Sequence, residues 1–128
     1  MIGVPTSNWM SALKAGSLVN SGAIATTGLA PGWEFLLDGL SRFAGRGLVV
    51  DDEVYASASA TNSRNHGIAR LLELPAEAVD RYTRQCSLRV SARDLAVMGA
   101  TLADGGVNPV TGERVVDADV CHYTLAVM

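Results

Sequence analysis

The chain has 128 residues, 48% of them hydrophobic, with a formal net charge of −3, an isoelectric point near 5.2 and a mean hydropathy of +0.22. That length holds one domain or part of one and excludes a second lobe, and scattered arginines on an acidic chain exclude a nucleic-acid partner, which needs clustered cations against phosphates. The apolar content is high for a small monomer and predicts apolar surface covered by a second copy or by a complementing chain.

No stretch approaches membrane-spanning length, and the N-terminus lacks a basic segment followed by an apolar run. A cytoplasmic protein with no membrane partner is therefore expected. Cys86 and Cys121 have neither Cys-x-x-Cys spacing nor paired histidines. They predict buried free thiols, with no disulfide framework, no metal and no cofactor.

In chain order, residues 1–15 mix the turn residues Pro5, Ser7 and Asn8 with Trp9, Met10 and Leu13 on one face of a short helix. Within them Ser11-Ala12-Leu13-Lys14 sets a hydroxyl and the chain's single lysine one helical turn apart. At that spacing a desolvated amine can take a serine proton. So short a pattern recurs by chance, and Ser11 and Lys14 are read first as ordinary surface residues. Residues 19–27 are small and β-branched and predict the start of a tightly packed helix, with Asn20 as a cap.

Trp33, Leu36, Leu37, Leu40 and Phe43 fall at helical spacing and predict an amphipathic helix closed by Gly45 and Gly47. Leu48, Val49 and Val50 read as a brief extended segment. Asp51, Asp52 and Glu53 read as a solvated turn without the spacing of a calcium loop. Residues 54–65 lead into a helix bearing Ile68, Leu71 and Leu72, with Asn62 and Ser63 as candidate caps. Asn65 then falls in the first turn with its amide pointing outward.

Pro75 opens a further helix, along which Ala78, Val79, Tyr82 and Cys86 share a face. Tyr82 is read as a half-buried core tyrosine with a bonded hydroxyl. Ser91 with Asp94 forms a capping box. Leu95, Met98 and Leu102 follow as the apolar face of the helix, with Ala96, Ala100 and Ala103 where a neighbour can approach, and Gly105-Gly106 as its end. Asn108-Pro109 and Thr111-Gly112 predict a tight surface loop over residues 107–114. Asp117 reads as the N-cap of a last helix carrying Val120, Tyr123, Thr124, Ala126 and Val127. His66 and His122 suggest neither a metal site nor a triad.

The strings Cys86-Ser87, Arg93-Asp94-Leu95-Ala96-Val97-Met98 and Leu102-Ala103-Asp104-Gly105-Gly106-Val107-Asn108-Pro109-Val110-Thr111-Gly112-Glu113-Arg114 resemble the serine-dependent glutaminases. The resemblance is clear over residues 20–128, weak over residues 1–19, and marks residues 1–128 as a single partial domain, truncated at both ends. It implies a mainly α chain of about five or six short helices, the helical part of a β-lactamase/transpeptidase-like fold, with little or no sheet. The implied reaction hydrolyses L-glutamine to L-glutamate and ammonia, with L-glutamine as partner where the pocket is complete.

By the same resemblance Asn20, Asn65 and Tyr82 contact the substrate. The family's glutamate position holds Ala58, and Asn62 and Ser63 stand where Gly and Asp are preferred. A carboxylate facing an ammonium contributes ~1.5–3 kcal/mol, so its absence weakens binding roughly ten- to over hundredfold. The family's nucleophile segment and oxyanion-hole region are not found in the chain, so no catalytic residue is assigned. Inactivity of the chain by itself is expected. The alternative is a non-catalytic helical interaction module built on this scaffold, and a minimal hydrolase using Ser11 and Lys14 ranks last.

Overall fold

A computed structural model describes residues 32–128. Ser11, Lys14, Asn20 and the helix expected from residue 19 lie outside the described residues. Among the described residues six helices follow in order: α1 (Trp33–Ala44), α2 (Asp52–Ala60), α3 (Ser63–Leu71), α4 (Ala76–Cys86), α5 (Ala92–Ala103) and α6 (Ala118–Val127). Among the described residues there is no strand, only two isolated antiparallel bridges, Val50 with Leu88 and Val107 with Arg114. The mainly helical expectation holds. Among the described residues two compact units are distinguished, one comprising residues 32–36 with Val49–Arg89, the other Leu37–Leu48 with Val90–Met128.

In the first unit the extended segment expected near Val50 is present: the Arg89 N–H donates to Val49 O at 2.9 Å, and the Asp51 N–H to Ser87 O at 2.7 Å. The three acids after it are not a solvated turn. Asp51 is buried and caps α2, its Oδ1 accepting the Val54 N–H at 3.1 Å, while Asp52 and Glu53 occupy the first helical turn. Acid-rich stretches suit helix starts because the unpaired N–H groups there carry partial positive charge. In the sequence this signal was indistinguishable from solvation.

Helix α4 packs on both α2 and α3. Its predicted face is the one buried, with Ala78, Val79 and Tyr82 at 0%, 1% and 2% exposure. Ile68 of α3 joins Ala78, Tyr82 and Cys86 in the core, and Leu74 packs against it. Each large apolar side chain withdrawn in this way contributes about 1.5–3 kcal/mol. Tyr82 is thus a fully buried core residue instead of a half-buried one.

In the second unit the capping box is found as read: Ser91 Oγ accepts the Asp94 N–H at 3.2 Å and Asp94 Oδ2 the Ser91 N–H at 2.8 Å. The buried face of α5 differs from the expected one. Asp94 and Thr101 are buried, while Leu95 is 39% exposed. Thr101 is accommodated because its hydroxyl donates within the helix to Val97 O at 2.8 Å. Asp94 is accommodated by an ion pair with Arg46.

The segment after α5 is no simple surface loop, because Asn108 in it is completely buried. Helix α6 packs on α5. Of α6 only Cys121 is buried, and Val120, Tyr123 and Leu125 are exposed. Asp117 stands at its N-cap position without a side-chain capping bond.

Candidate functional site

Of the polar residues singled out in the sequence, Asn62 and Asn65 meet, in the first unit, where the start of α3 approaches the middle of α4. Asn62 is the N-cap of α3, yet its backbone is not extended (φ −93°, ψ 16°) and its side chain makes no capping bond. It turns to α4 instead, where Nδ2 donates to Thr83 Oγ1 at 2.6 Å. The Thr83 hydroxyl in turn donates to Val79 O, one turn back on the same helix, at 2.7 Å. On its other side Asn62 Oδ1 accepts from Asn65 Nδ2.

Three side chains therefore form a directed chain from the backbone of α4 to the first turn of α3, with Asn65 at its end. The expectation that the Asn65 amide simply points outward is corrected: the residue is half-buried, and its nitrogen is engaged. Asn62 and Thr83 are buried, so water competes little for these bonds.

Tyr82 lies next to Thr83 in sequence but points into the core. Burial pushes its hydroxyl above the ordinary tyrosine range, and the neighbouring Cys86, to which it hydrogen-bonds, pushes in the same direction. The tyrosine is therefore neutral and serves as a hydrogen-bonding group. The structure thus joins Asn65 to α4 through Asn62 and Thr83 and sets Tyr82 in the apolar layer beneath. Ala58 lies on α2, half-buried, and supplies no charge.

Beside this chain of bonds is a cavity of about 160 Å³, whose wall includes Asn62, Thr83, Asp80, Tyr55, Ser59 and His66. Asp80 is the fixed charge of that wall. Its Oδ1 accepts the Tyr55 hydroxyl at 2.5 Å and its Oδ2 the Arg84 Nε at 2.8 Å. The Arg84 guanidinium lies 5.6 Å from the Tyr55 ring centre and 6.0 Å from that of Trp33, within range for cation–π attraction. Ser59, His66 and Asp80 share the cavity, but no hydrogen bond joins any two of them, so they do not constitute a nucleophile, base and orienting acid.

Among the described residues no group of three His, Cys, Asp or Glu side chains could hold a metal. The site offers amide and hydroxyl groups and one paired carboxylate. Such groups bind a small polar molecule by hydrogen bonding.

Sequence reading missed Thr83 and the lateral role of Asn62. A threonine beside the buried Tyr82 was the available signal, because a hydroxyl there has to find a partner. The Asp80–Arg84 pair, at i and i+4, was also open to view.

Residues 7–128 match the family model described as Glutaminase. A glutaminase 2 of Yersinia pestis is 62% identical over 128 aligned residues, which take in 90% of this chain and 38% of the relative. A solved structure of a probable glutaminase of Bacillus subtilis superposes with a TM-score of 0.79 at 30% identity, over 85% of this chain and 39% of that one. The structure of Mglu in its L-glutamate binding form gives a TM-score of 0.77 at 36% identity, over 84% of this chain and 28% of that one. The chain spans well under half the length of each of these relatives.

Proposed function

Because the chain belongs to the glutaminase family, we propose that it is part of an enzyme hydrolysing L-glutamine to L-glutamate and ammonia, and that it supplies groups holding the substrate's amino-acid end. Asn65 is the residue on which this rests. It is the position that by resemblance holds substrate, and its amide is fixed through Asn62 and Thr83 instead of swinging in solvent. A prefixed amide loses little freedom on binding a ligand.

In this scheme Asn20, Asn65 and Tyr82 are the substrate-binding residues. A lysine-activated serine attacks the side-chain amide, a glutamyl-enzyme forms as ammonia leaves, and water releases glutamate. The described residues include no lysine, since Lys14 is the only one in the sequence. These 128 residues by themselves are accordingly proposed to bind glutamine without turning it over. The helices are read as the helical part of a β-lactamase/transpeptidase-like fold. The free thiols Cys86 and Cys121 support a reducing, cytoplasmic setting.

A second reading, a non-catalytic helical interaction module, is favoured by the apolar surface of α6, where Val120, Tyr123 and Leu125 are 50%, 70% and 48% exposed. Ammonia release and calorimetric glutamine binding by the purified chain separate the two. Binding without turnover, weakened in Asn65→Ala, supports the first. Absence of binding, together with self-association in light scattering, supports the second. Ammonia release abolished by Ser11→Ala would make Ser11 the nucleophile and overturn its reading as a surface residue.

A further inference from the structure

We propose that the cavity lined by the end of α1, the first turn of α5 and Val110 is a binding site for a small organic monocarboxylate, with Arg93 as the residue that takes its charge. The cavity lies within the second unit and shares no residue with the candidate glutamine site, so the proposal does not depend on that reading.

The cavity has a volume of about 340 Å³, at the lower end of the roughly 300–1,000 Å³ usual for small-ligand pockets. Two arginines, Arg46 and Arg93, and one carboxylate, Asp94, line it beside the apolar Ala44, Val97 and Val110. These charges do not cancel. Both Asp94 oxygens accept from Arg46, at 2.8 and 2.5 Å, and Oδ2 also accepts the Ser91 N–H at 2.8 Å. The bonds hold the Asp94 carboxyl well below the ordinary carboxylate range, so it stays ionised and matched to Arg46. The Arg93 side chain is exposed and, among the described residues, has no ion pair, hydrogen bond or aromatic contact.

Arg93 also stands in the first turn of α5, where unpaired N–H groups carry partial positive charge and a cation is disfavoured. The sequence thus sets a cation where the helix resists it, at a cavity that already holds one surplus positive charge. An anion entering the cavity compensates both.

The walls decide which anion. Val110 is held in place from below: its N–H donates to Asn108 Oδ1 at 2.8 Å, and a Cβ built on Gly45 would lie 3.5 Å from the Val110 Cβ. Asn108 is itself buried and donates to Arg42 O and Phe43 O, so the apolar wall is in place before a ligand arrives and little ordering cost remains. One surplus positive charge beside an ionised Asp94 matches one carboxylate and repels a second. Ala44, Val97 and Val110 match a short apolar chain. Inorganic phosphate, with more charge and no apolar part, complements these walls less well.

The experiment uses the full chain and three probes: 4-methylpentanoate, its uncharged amide 4-methylpentanamide, and inorganic phosphate. Calorimetry should show 4-methylpentanoate bound at one site, more weakly as ionic strength rises, and at least about tenfold more tightly than the amide or phosphate. Backbone amide NMR during the titration should shift Arg93, Val97 and Val110 and leave Asn65 and Thr83 in place. Arg93→Gln and Val110→Asp should each weaken binding of the carboxylate about tenfold or more. Glutamine is as good a helix former as arginine and removes the cation from the first turn, so the thermal midpoint of Arg93→Gln should be no lower than that of the unmodified protein. Lost binding is thereby separated from lost folding.

No binding of 4-methylpentanoate overturns the proposal, as does full affinity in Arg93→Gln. Equal affinity for the amide means an apolar pocket that does not read charge, and phosphate bound as tightly as the carboxylate means a general anion site; either result overturns it too.

Discussion

Asp94 holds Arg46 with both carboxylate oxygens, Oδ1 accepting from Nε at 2.8 Å and Oδ2 from Nη2 at 2.5 Å, while the same carboxylate completes the capping box of α5. One buried acid thus fixes both the start of a helix and the second residue after the end of α1. The Arg46 hydrogen bonds hold the Asp94 carboxyl well below the ordinary carboxylate range, assisted by the bonds at Ser91 and opposed by burial. Asp51 is shifted down as well, first by the Val54 N–H and also by Arg89.

These shifts set a pH dependence. A group whose folded pKa is depressed binds its proton more readily when unfolded, so its contribution is full above the unfolded value of about 3.9 and is lost as pH falls toward the folded one. The urea midpoint is expected to be flat from about pH 7 to pH 5 and to drop below about pH 4. Asp94→Asn should lower the midpoint at neutral pH by an amount equivalent to about 1–2 kcal/mol and make the acid limb shallower. Arg46 is half-exposed, so much of the loss comes from the buried cap and little from the screened charge pair. An acid limb as steep in Asp94→Asn as in the unmodified protein would assign the pH dependence to other carboxylates.

Asn108 uses all the hydrogen-bonding capacity of its side chain. Nδ2 donates to Arg42 O at 2.8 Å and Phe43 O at 3.1 Å, and Oδ1 accepts from the Val110 and Thr111 N–H groups at 2.8 and 3.2 Å. It thereby adds a donor to two carbonyls at the end of α1, of which Arg42 O also accepts the Gly45 N–H at 3.3 Å and Phe43 O the Thr101 hydroxyl at 3.4 Å. Asn108→Ala removes four hydrogen bonds made by a fully buried side chain and should cost about 1–3 kcal/mol in chemical denaturation. Asn108→Asp should cost at least as much at pH 7, because an anion replaces the donor facing two carbonyl oxygens.

Two glycines in the same region separate backbone strain from steric exclusion. Gly106 has φ +92°, and a Cβ there would sit 2.0 Å from Val116 O; Gly112 has φ +71° with nothing within 4 Å. Gly112→Ala should cost only about 1 kcal/mol for its left-handed backbone, whereas Gly106→Ala should cost more than about 3 kcal/mol or prevent folding. Thermal midpoints of the pair test this, and equal midpoints would mean that Val116 yields without cost.

What could be read from the sequence was whatever a few neighbouring residues decide. The Ser91–Asp94 box, the buried face of α4 and the helical class all follow from local spacing. Asn108 announced a turn, but its burial depends on Arg42 and Phe43, more than sixty residues earlier, with which it shares no local pattern. The buried face of α5 was misjudged for the same reason. Asp94 looks polar until Arg46, 48 residues away, is brought to it, and Thr101, which bonds Val97 O in its own helix, is also reached by Phe43 O, 58 residues away. At the candidate site Asn65 was singled out by resemblance, but the groups it is joined to were not, because Thr83 lies on another helix 21 residues from Asn62.

Ala58 offers the most direct test of the substrate reading. It lies on α2 and is only half-buried, so a longer side chain there can extend without opening the core. Glutamate is nearly as good a helix former as alanine, so Ala58→Glu should leave stability within about 0.5 kcal/mol. A carboxylate restored opposite the substrate ammonium should tighten glutamine binding about tenfold or more, while Ala58→Gln, with the same shape and no charge, should gain much less. Because the gain comes from charge, it should shrink as ionic strength rises and vanish for 4-carbamoylbutanoate, which is glutamine without its amino group. Calorimetry with both ligands at two salt concentrations measures all three effects. Equal binding by Ala58→Glu and Ala58→Gln would mean that this position does not face the amino group, and that the ammonium is held by Asn65 alone or by residues elsewhere.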